Sequence, residues 1–205
     1  MPNWCSNFIS IEGSKENILK IKRMLDSVEN DVNKPGIFQT LVGRDETLTE
    51  QQYNEGGWYQ SNIERWGCKW DISWDDTSID ISEENITINC STAWSPATGF
   101  CKLLQETYGV KVRCEFEEGG CDFAGYYEVD ENGEVDEETY SYLEGIYVLD
   151  KDNFWFEMES RIEYAVDDDQ SFDDFVSEMK DFLPDSEIEE LRTMYEEELE
   201  RVNEK

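Results

Sequence analysis

The chain has no histidine. That absence removes Ser-His-Asp and Cys-His nucleophile pairs and any zinc or iron site ligated by imidazole. The six cysteines, Cys5, Cys68, Cys90, Cys101, Cys114 and Cys121, include no C-x-x-C pair. A zinc knuckle and a dense secreted disulfide framework are therefore not expected, and the thiols read as reduced and mostly buried. No apolar run approaches the roughly 18 residues that a membrane span needs. No basic-then-apolar leader opens the chain, since Met1-Pro2-Asn3-Trp4-Cys5 turns polar almost at once. Cation-bearing residues are scarce as well, 17 Lys+Arg against 50 Asp+Glu, for a net charge of −33 on 205 residues. A surface this negative repels nucleic acid and anionic membranes and attracts basic proteins or cations.

The charge is uneven. Residues 1–120 carry 20 acidic and 11 basic side chains, a net of −9, whereas residues 121–205 carry 30 and 6, a net of −24. An acidic tail is ordinarily disordered because it lacks large apolar side chains for a core. This one holds Tyr126, Tyr127, Phe154, Trp155, Phe156, Phe172 and Phe175, so a folded acidic half is expected.

Periodicity orders the elements. Cys5, Ile9 and Ile11 alternate with Ser6, Phe8 and Ser10 as a first strand over residues 4–12, ended by Gly13. Ser14 fits the N-cap of a helix with Ile18, Ile21, Leu25 and Val28 on one stripe. Residues 30–65 keep no sustained period and read as a long insertion with a short helix around Glu46–Tyr53; long ordered loops are often functional. Trp70, Ile72 and Trp74 alternate with Asp71, Ser73 and Asp75 and predict a strand continuing through Ile79 and Ile81. Glu83-Glu84-Asn85 then turns into a returning strand with Ile86, Ile88 and Cys90. Ser95-Pro96 predicts a capped helix start, with Phe100, Leu103 and Leu104 inward and Gly109 as its end. Val110, Val112, Cys114 and Phe116 mark the next strand. The order is β-α-β-β-α-β, a ferredoxin-like α+β domain over residues 1–118 with the insertion at 30–65.

Residues 119–205 are expected as an acidic C-terminal extension of strands, then two helices. Aromatic alternation suggests strands at Phe123–Val129, Thr139–Leu149 and Phe154–Tyr164, with turns at Asn132-Gly133 and Asp150–Asn153. Ser171 caps a helix carrying Phe172, Phe175, Val176, Met179, Phe182 and Leu183. Pro184 breaks it before a last helix with Ile188, Leu191, Tyr195, Leu199 and Val202.

Among motifs, Asp130-Glu131-Asn132-Gly133 is not an EF-hand loop, because Gly133 falls fourth rather than sixth; it reads as a hairpin turn. Asp167-Asp168-Asp169 reads as a charged helix-entry loop rather than a cation site. No metal, cofactor or catalytic residue is expected. The density of Trp58, Trp66, Trp70, Trp74 and Trp94 beside Lys69 and Asp71 admits two readings. One is core packing with a loop clamped over the sheet. The other is a small nucleotide pocket built from Asn3, Trp4, Trp66, Lys69, Trp70, Asp71 and Trp94, with Lys69 on a phosphate and Asp71 on a base or ribose.

Three blocks, Met1-Pro2-Asn3-Trp4-Cys5-Ser6-Asn7, Trp66-Gly67-Cys68-Lys69-Trp70-Asp71 and Thr92-Ala93-Trp94-Ser95-Pro96, resemble the signature of a phage and plasmid family with a YubB-type ferredoxin-like domain. The resemblance spans residues 1–118; Cys68 stands where that family usually has threonine. It implies a mobile-element origin and a ferredoxin-like fold, and no reaction. With the charge, it leads to the expectation of a non-enzymatic protein of the host cytoplasm. Such a protein would inhibit a basic, nucleic-acid-handling host defence protein, of anti-CRISPR or anti-restriction type, through a nucleic-acid-mimicking face. The partner-binding candidates are Asp167, Asp168, Asp169, Glu189, Glu190, Glu196, Glu197 and Glu198. The alternative is a small nucleotide-binding protein or enzyme using the Trp/Lys/Asp cluster. Direct nucleic-acid and membrane binding are not expected.

Overall fold

Alternation in the first block forms the central strand β1 (Trp4–Glu12), whose inward residues Cys5, Asn7, Ile9 and Ile11 are all buried. In this computed structural model residues 3–28 and 31–203 are described. Met1 and Pro2 of the first signature block, and residue 30 of the expected insertion, lie outside the described residues.

Helix α1 (Lys15–Val28) follows, its start capped by Ser14 Oγ accepting from the Asn17 amide. Strands β2 (Ser78–Ile81) and β3 (Asn85–Ala93), helix α5 (Thr98–Tyr108) and strand β4 (Lys111–Glu118) complete the expected order. The strand order β2-β3-β1-β4, with antiparallel neighbours throughout, is the ferredoxin-like arrangement. The register pairs Ile9 with Ile88 and with Cys114, so apolar residues of three strands share one face. That face shares a core with Ile18, Ile21 and Leu25 of α1 and with Phe100, Cys101 and Leu104 of α5. Gly109, at φ +62, ends α5 as expected.

Several expectations change. Residues 31–65 are largely helical: α2 (Ile37–Val42), α3 (Glu50–Gln52) and α4 (Trp58–Trp66), with a kinked turn at Tyr53–Gly57 where Gly56 holds φ +118. Ile37, Phe38 and Leu41 join the core shared by the sheet, α1 and α5, so part of this segment packs as core helix rather than as a loop. Residues 69–75 form no strand despite their alternation. Asp71 turns back to cap α2, and Trp74 Nε1 donates to the Pro35 carbonyl at 2.7 Å; these contacts bend the chain away from a ladder. Ser95 does not cap α5, which begins at Thr98 after Ala97.

Beyond residue 118 the sheet continues through β5 (Phe123–Val129), as expected, and the edge strand β6 (Val135–Tyr140), joined by a turn at Asp130–Glu134 that includes Asn132-Gly133. Glu118 pairs with Phe123 across β4 and β5, so the division placed at 118/119 falls inside the sheet. The chain instead divides into compact units at residues 1–139 and 140–205.

The second unit is helical: α6 (Tyr142–Leu149), α7 (Lys151–Asp167), the short α8 (Phe172–Phe175) and α9 (Asp185–Asn203). The expected strands at 139–149 and 154–164 are therefore mostly helix. Phe154, Met158, Ile162, Ala165 and Val166 recur every three or four residues and are buried, a helical stripe that wins over the β-preference of the aromatics among them. Asp150 is the N-cap of α7 rather than a turn residue, accepting from the Asn153 amide, and Ser171 caps α8 as predicted. The core closes with Tyr147–Phe154 and Phe172–Tyr195 ring contacts at 5.2 and 5.6 Å.

Candidate functional site

The three signature blocks meet in space, and much of what they do is hold the fold. Asn7 faces the core at 3% exposure. Its Nδ2 donates to the Cys5 carbonyl (2.8 Å) and to Thr92 Oγ1 (2.9 Å); its Oδ1 accepts from the Ala97 amide (3.0 Å) and the Cys114 thiol (3.5 Å). One buried amide thus ties β1 to β3 and to the entry of α5, with its polar atoms satisfied as burial requires. Thr92 Oγ1 donates to the Ser95 carbonyl, and Ser95 Oγ to the Gly67 carbonyl, both at 2.6 Å. Gly67 sits at φ +84 with the backbone of residues 96–99 against it, where a Cβ would lie 2.9 Å from the Pro96 carbonyl oxygen.

The pocket candidates separate into scaffold and surface. Trp66 is 1% exposed and packs edge-on against Phe38 at 5.7 Å, which makes it core. Asp71 accepts from the amides of Phe38 (2.7 Å), Gln39 (2.9 Å) and Ile72 (2.8 Å), so three of about four lone-pair sites are spent on the chain itself. Burial raises its carboxyl above the ordinary value, against those three donors. A role for Asp71 in holding a base or ribose loses most of its acceptor capacity. Asn3 braces the neighbouring backbone: its carbonyl accepts from the Trp94 amide (3.0 Å) and its Nδ2 meets Cys121 Sγ at 3.1 Å.

Trp4, Trp70 and Trp94 are exposed by 53%, 38% and 51%. Trp4 and Trp70 touch, with ring centroids 6.2 Å apart and planes 41° from parallel, and Lys69 Nζ lies 4.3 Å from the Trp70 centroid. Trp94 holds φ +78, a conformation that costs a bulky side chain roughly 1–3 kcal/mol. Beside the Trp4–Trp70 pair lies a groove of about 450 Å³, lined also by Asp71, Ile72, Ser73, Asp76, Thr77, Ser91, Thr92 and Ala93. Among the described residues no lysine or arginine lines it, and Trp66, Lys69 and Trp94 are not in its wall. A nucleotide here would find indole surface without the expected phosphate contact. Sequence reasoning missed Ser73, Asp76, Thr77 and Ser91 as lining residues. The one available signal of a polar brace was Asn7, an amide at an inward strand position.

The acidic candidates lie in the 140–205 unit. Asp168 ends α7 and Asp169 takes φ +55, so with Asp167 three carboxylates crowd the negative end of a helix dipole. This is a helix exit, not the expected helix entry. Glu189, Glu190, Glu196 and Glu197 are exposed along α9. Glu198 is half-buried and its Oε1 and Oε2 are held by Arg201 at 2.5 and 2.6 Å, which takes it out of the free acidic face. Seven-residue spacing sets Glu189 above Glu196, and Glu190 above Glu197, about 10 Å apart along the axis.

The buried thiols are unreactive by environment. Burial pushes Cys5 up to about 12 and raises Cys68 and Cys90 as well. Cys121 is exposed, but its bond with Glu118 raises it too. Among the described residues no cluster of Cys, Asp and Glu is arranged to hold a metal ion, and no helix is long and apolar enough to cross a membrane.

Comparison with known proteins places the fold in context. None of the curated proteins matches the chain in sequence. A family model described as the ferredoxin-like domain in Api92-like protein matches residues 69–159, starting and ending later than the region that carries the signature blocks. A crystal structure of the protein Api92 from Yersinia pseudotuberculosis is similar to 69% of this chain over 99% of its own length, at 11% identity and a TM-score of 0.41.

Proposed function

We propose that this protein binds and inhibits a basic, nucleic-acid-handling protein, its carboxylates occupying the track that phosphates would take. One observation carries the reading. Residues 140–205 hold 22 acidic and six basic side chains, a net of −16, on a folded helical unit with its own aromatic core. Its described cations are used internally: Lys151 on Glu187, Arg161 on Glu157 and Glu178, Lys180 on Asp173, Arg192 on Glu189, and Arg201 on Glu163 and Glu198. The remaining carboxylates, together with Glu189, which stays exposed beside Arg192 at 3.6 Å, sum to a field that the described cations do not quench. Glutamate pairs recur about every 10 Å along α9, a regularly spaced row of charge. Such a surface repels the chain's own copies and steers cationic partners.

The resemblance of the motif blocks to a phage and plasmid family favours a mobile-element protein acting in the host cytoplasm against a restriction or CRISPR complex. No catalytic group is needed, because occupancy alone inhibits. The test changes Glu189, Glu190, Glu196 and Glu197 to Gln in one full-length variant, and Asp167, Asp168 and Asp169 to Asn in another. Association with purified basic restriction and CRISPR complexes is then followed against salt. The expected result is a slower on-rate and a shallower salt dependence in both variants, with dissociation less affected. Unchanged rates and salt dependence in both would overturn the reading.

A further inference from the structure

We infer that the groove beside Trp4 and Trp70 is a binding site for an organic cation, a guanidinium or alkylammonium group. It uses none of the carboxylates of residues 140–205, so it stands or fails apart from the reading above.

Charge favours this class. The wall contributes Asp71 and Asp76 and the hydroxyls of Ser73, Thr77, Ser91 and Thr92, and no cation among the described residues. Asp71 is spent largely on backbone amides, as shown above; Asp76 is exposed and carries no ion pair among the described residues, so it is free to meet a ligand. An anion entering the groove meets like charge, whereas a cation meets a partner.

The aromatic geometry agrees. Rings 6.2 Å apart and tilted by 41° are already in mutual contact, which leaves no slot for a base to intercalate between them. Two indoles set at an angle instead form two walls of a partial cage, and indole faces are the strongest aromatic partners for cations. The chain itself already uses Trp70 this way, since the Lys69 ammonium lies over that ring at 4.3 Å. Lys34 does the same over Trp74 at 4.6 Å. The groove's volume suits a side chain or a small organic cation.

Lys69 gives the proposal its sharpest consequence. Its charge already occupies the Trp70 π-system from outside the groove wall, so it opposes a second cation and would favour an anion. Removing that charge must therefore change affinity in opposite directions for the two ligand classes.

The experiment follows the indole N–H resonances of the full-length protein by NMR, assigned through Trp4→Phe and Trp70→Phe. Methylguanidinium, tetramethylammonium, N-acetyl-arginine amide and AMP are titrated separately. The expected result is saturable shifts at Trp4 and Trp70 with the three cations and none with AMP. Trp70→Ala should weaken cation binding about fivefold, and Lys69→Met should tighten it. Asp76→Asn, an exposed change that leaves the packing alone, should weaken it about twofold. It serves as the second variant if Trp70→Ala fails to fold. Tighter binding of N-acetyl-arginine amide than of methylguanidinium would identify a protein side chain as the source; equal or weaker binding would identify a free cation. AMP binding that Lys69→Met weakens would overturn the proposal in favour of a nucleotide. No saturable shift with any probe, or unchanged cation affinity in Asp76→Asn, would also overturn it.

Discussion

Asn7→Ala should unfold the first unit well before the second. The side chain is 3% exposed and its four hydrogen bonds join β1, β3, β4 and the entry of α5. Truncation removes the acceptor of the Ala97 amide, at a residue that is 0% exposed. A buried donor left unmade costs about 1–3 kcal/mol, and losing the donors to Thr92 and Cys5 adds about 1 kcal/mol. The total is about 2–4 kcal/mol, which lowers the melting midpoint of a domain this size by about 6–16 °C. Six of the seven tryptophans lie in residues 1–139, so tryptophan emission reports mainly that unit, while far-UV circular dichroism draws on the helices of both units. Emission should shift early on heating, and the helical signal should melt in two steps, the first with the emission and the second, from residues 140–205, at the wild-type midpoint. Asn7→Asp keeps the acceptor for Ala97 but places an unpaired carboxylate in the core. Burial raises the pKa of such a group, so stability should be lost at neutral pH and return as pH falls through the raised value and the carboxyl becomes a donor. A midpoint within about 1 °C of wild type for Asn7→Ala would refute the claim that this amide braces the site.

Three further outcomes follow from the geometry. Gly125→Val should free β6 from the sheet, because a Cβ at this position would lie 2.2 Å from the Glu138 carbonyl oxygen, a backbone atom that no rotamer change can move; hydrogen exchange over residues 135–140 should rise to the rate of open chain, and unchanged protection would contradict it. Asp130 is held below the ordinary carboxyl value of 3.8, first by the Glu134 amide and then by Asn132. The turn's stabilisation is thus complete above the unfolded pKa and lost as pH falls through the lower folded value. NMR should show the Asp130 carboxyl titrating below 3.8 in the folded chain, and titration at or above that value would contradict the hydrogen bonding. Changing Asp167, Asp168 and Asp169 to Asn should raise the melting midpoint of the helical unit by relieving charge at the α7 terminus, with the gain shrinking at high salt; Asn tolerates the left-handed backbone at 169. A lowered midpoint would contradict it.

The ferredoxin-like order was legible because β1, β3 and β4 each bury one face, and a period of two survives in their sequences as Ile9/Ile11, Ile86/Ile88 and Val112/Cys114. Residues 69–75 alternate just as well and are not a strand. Their pattern arises from separate tertiary contacts, Asp71 on the amides of α2, Ile72 in the core and Trp74 on Pro35, which single-residue periodicity does not distinguish from a ladder. In 139–164 the helical stripe of Phe154, Met158 and Ile162 was present but masked by Phe156 and Tyr164, which are 72% and 71% exposed. Large aromatics on a solvent face defeat any reading that equates aromatic with buried. Of the Trp/Lys/Asp cluster, proximity in sequence identified the right neighbourhood. It did not separate Trp66, enclosed beside Phe38, from Trp4 and Trp70, because only packing decides which indole meets water. The loss of Glu198 from the acidic face was visible in part, since Arg201 three residues on is a helix neighbour.

The most direct test of the central claim is displacement of DNA. Fluorescent duplex DNA is bound to a purified restriction or CRISPR complex, and the full-length protein is added at low and at physiological salt. The account predicts release of the DNA at stoichiometric protein, weakened by salt and weakened further when Glu189, Glu190, Glu196 and Glu197 are changed to Gln. DNA that stays bound to every complex tested, or release that is undiminished in that variant, would contradict it.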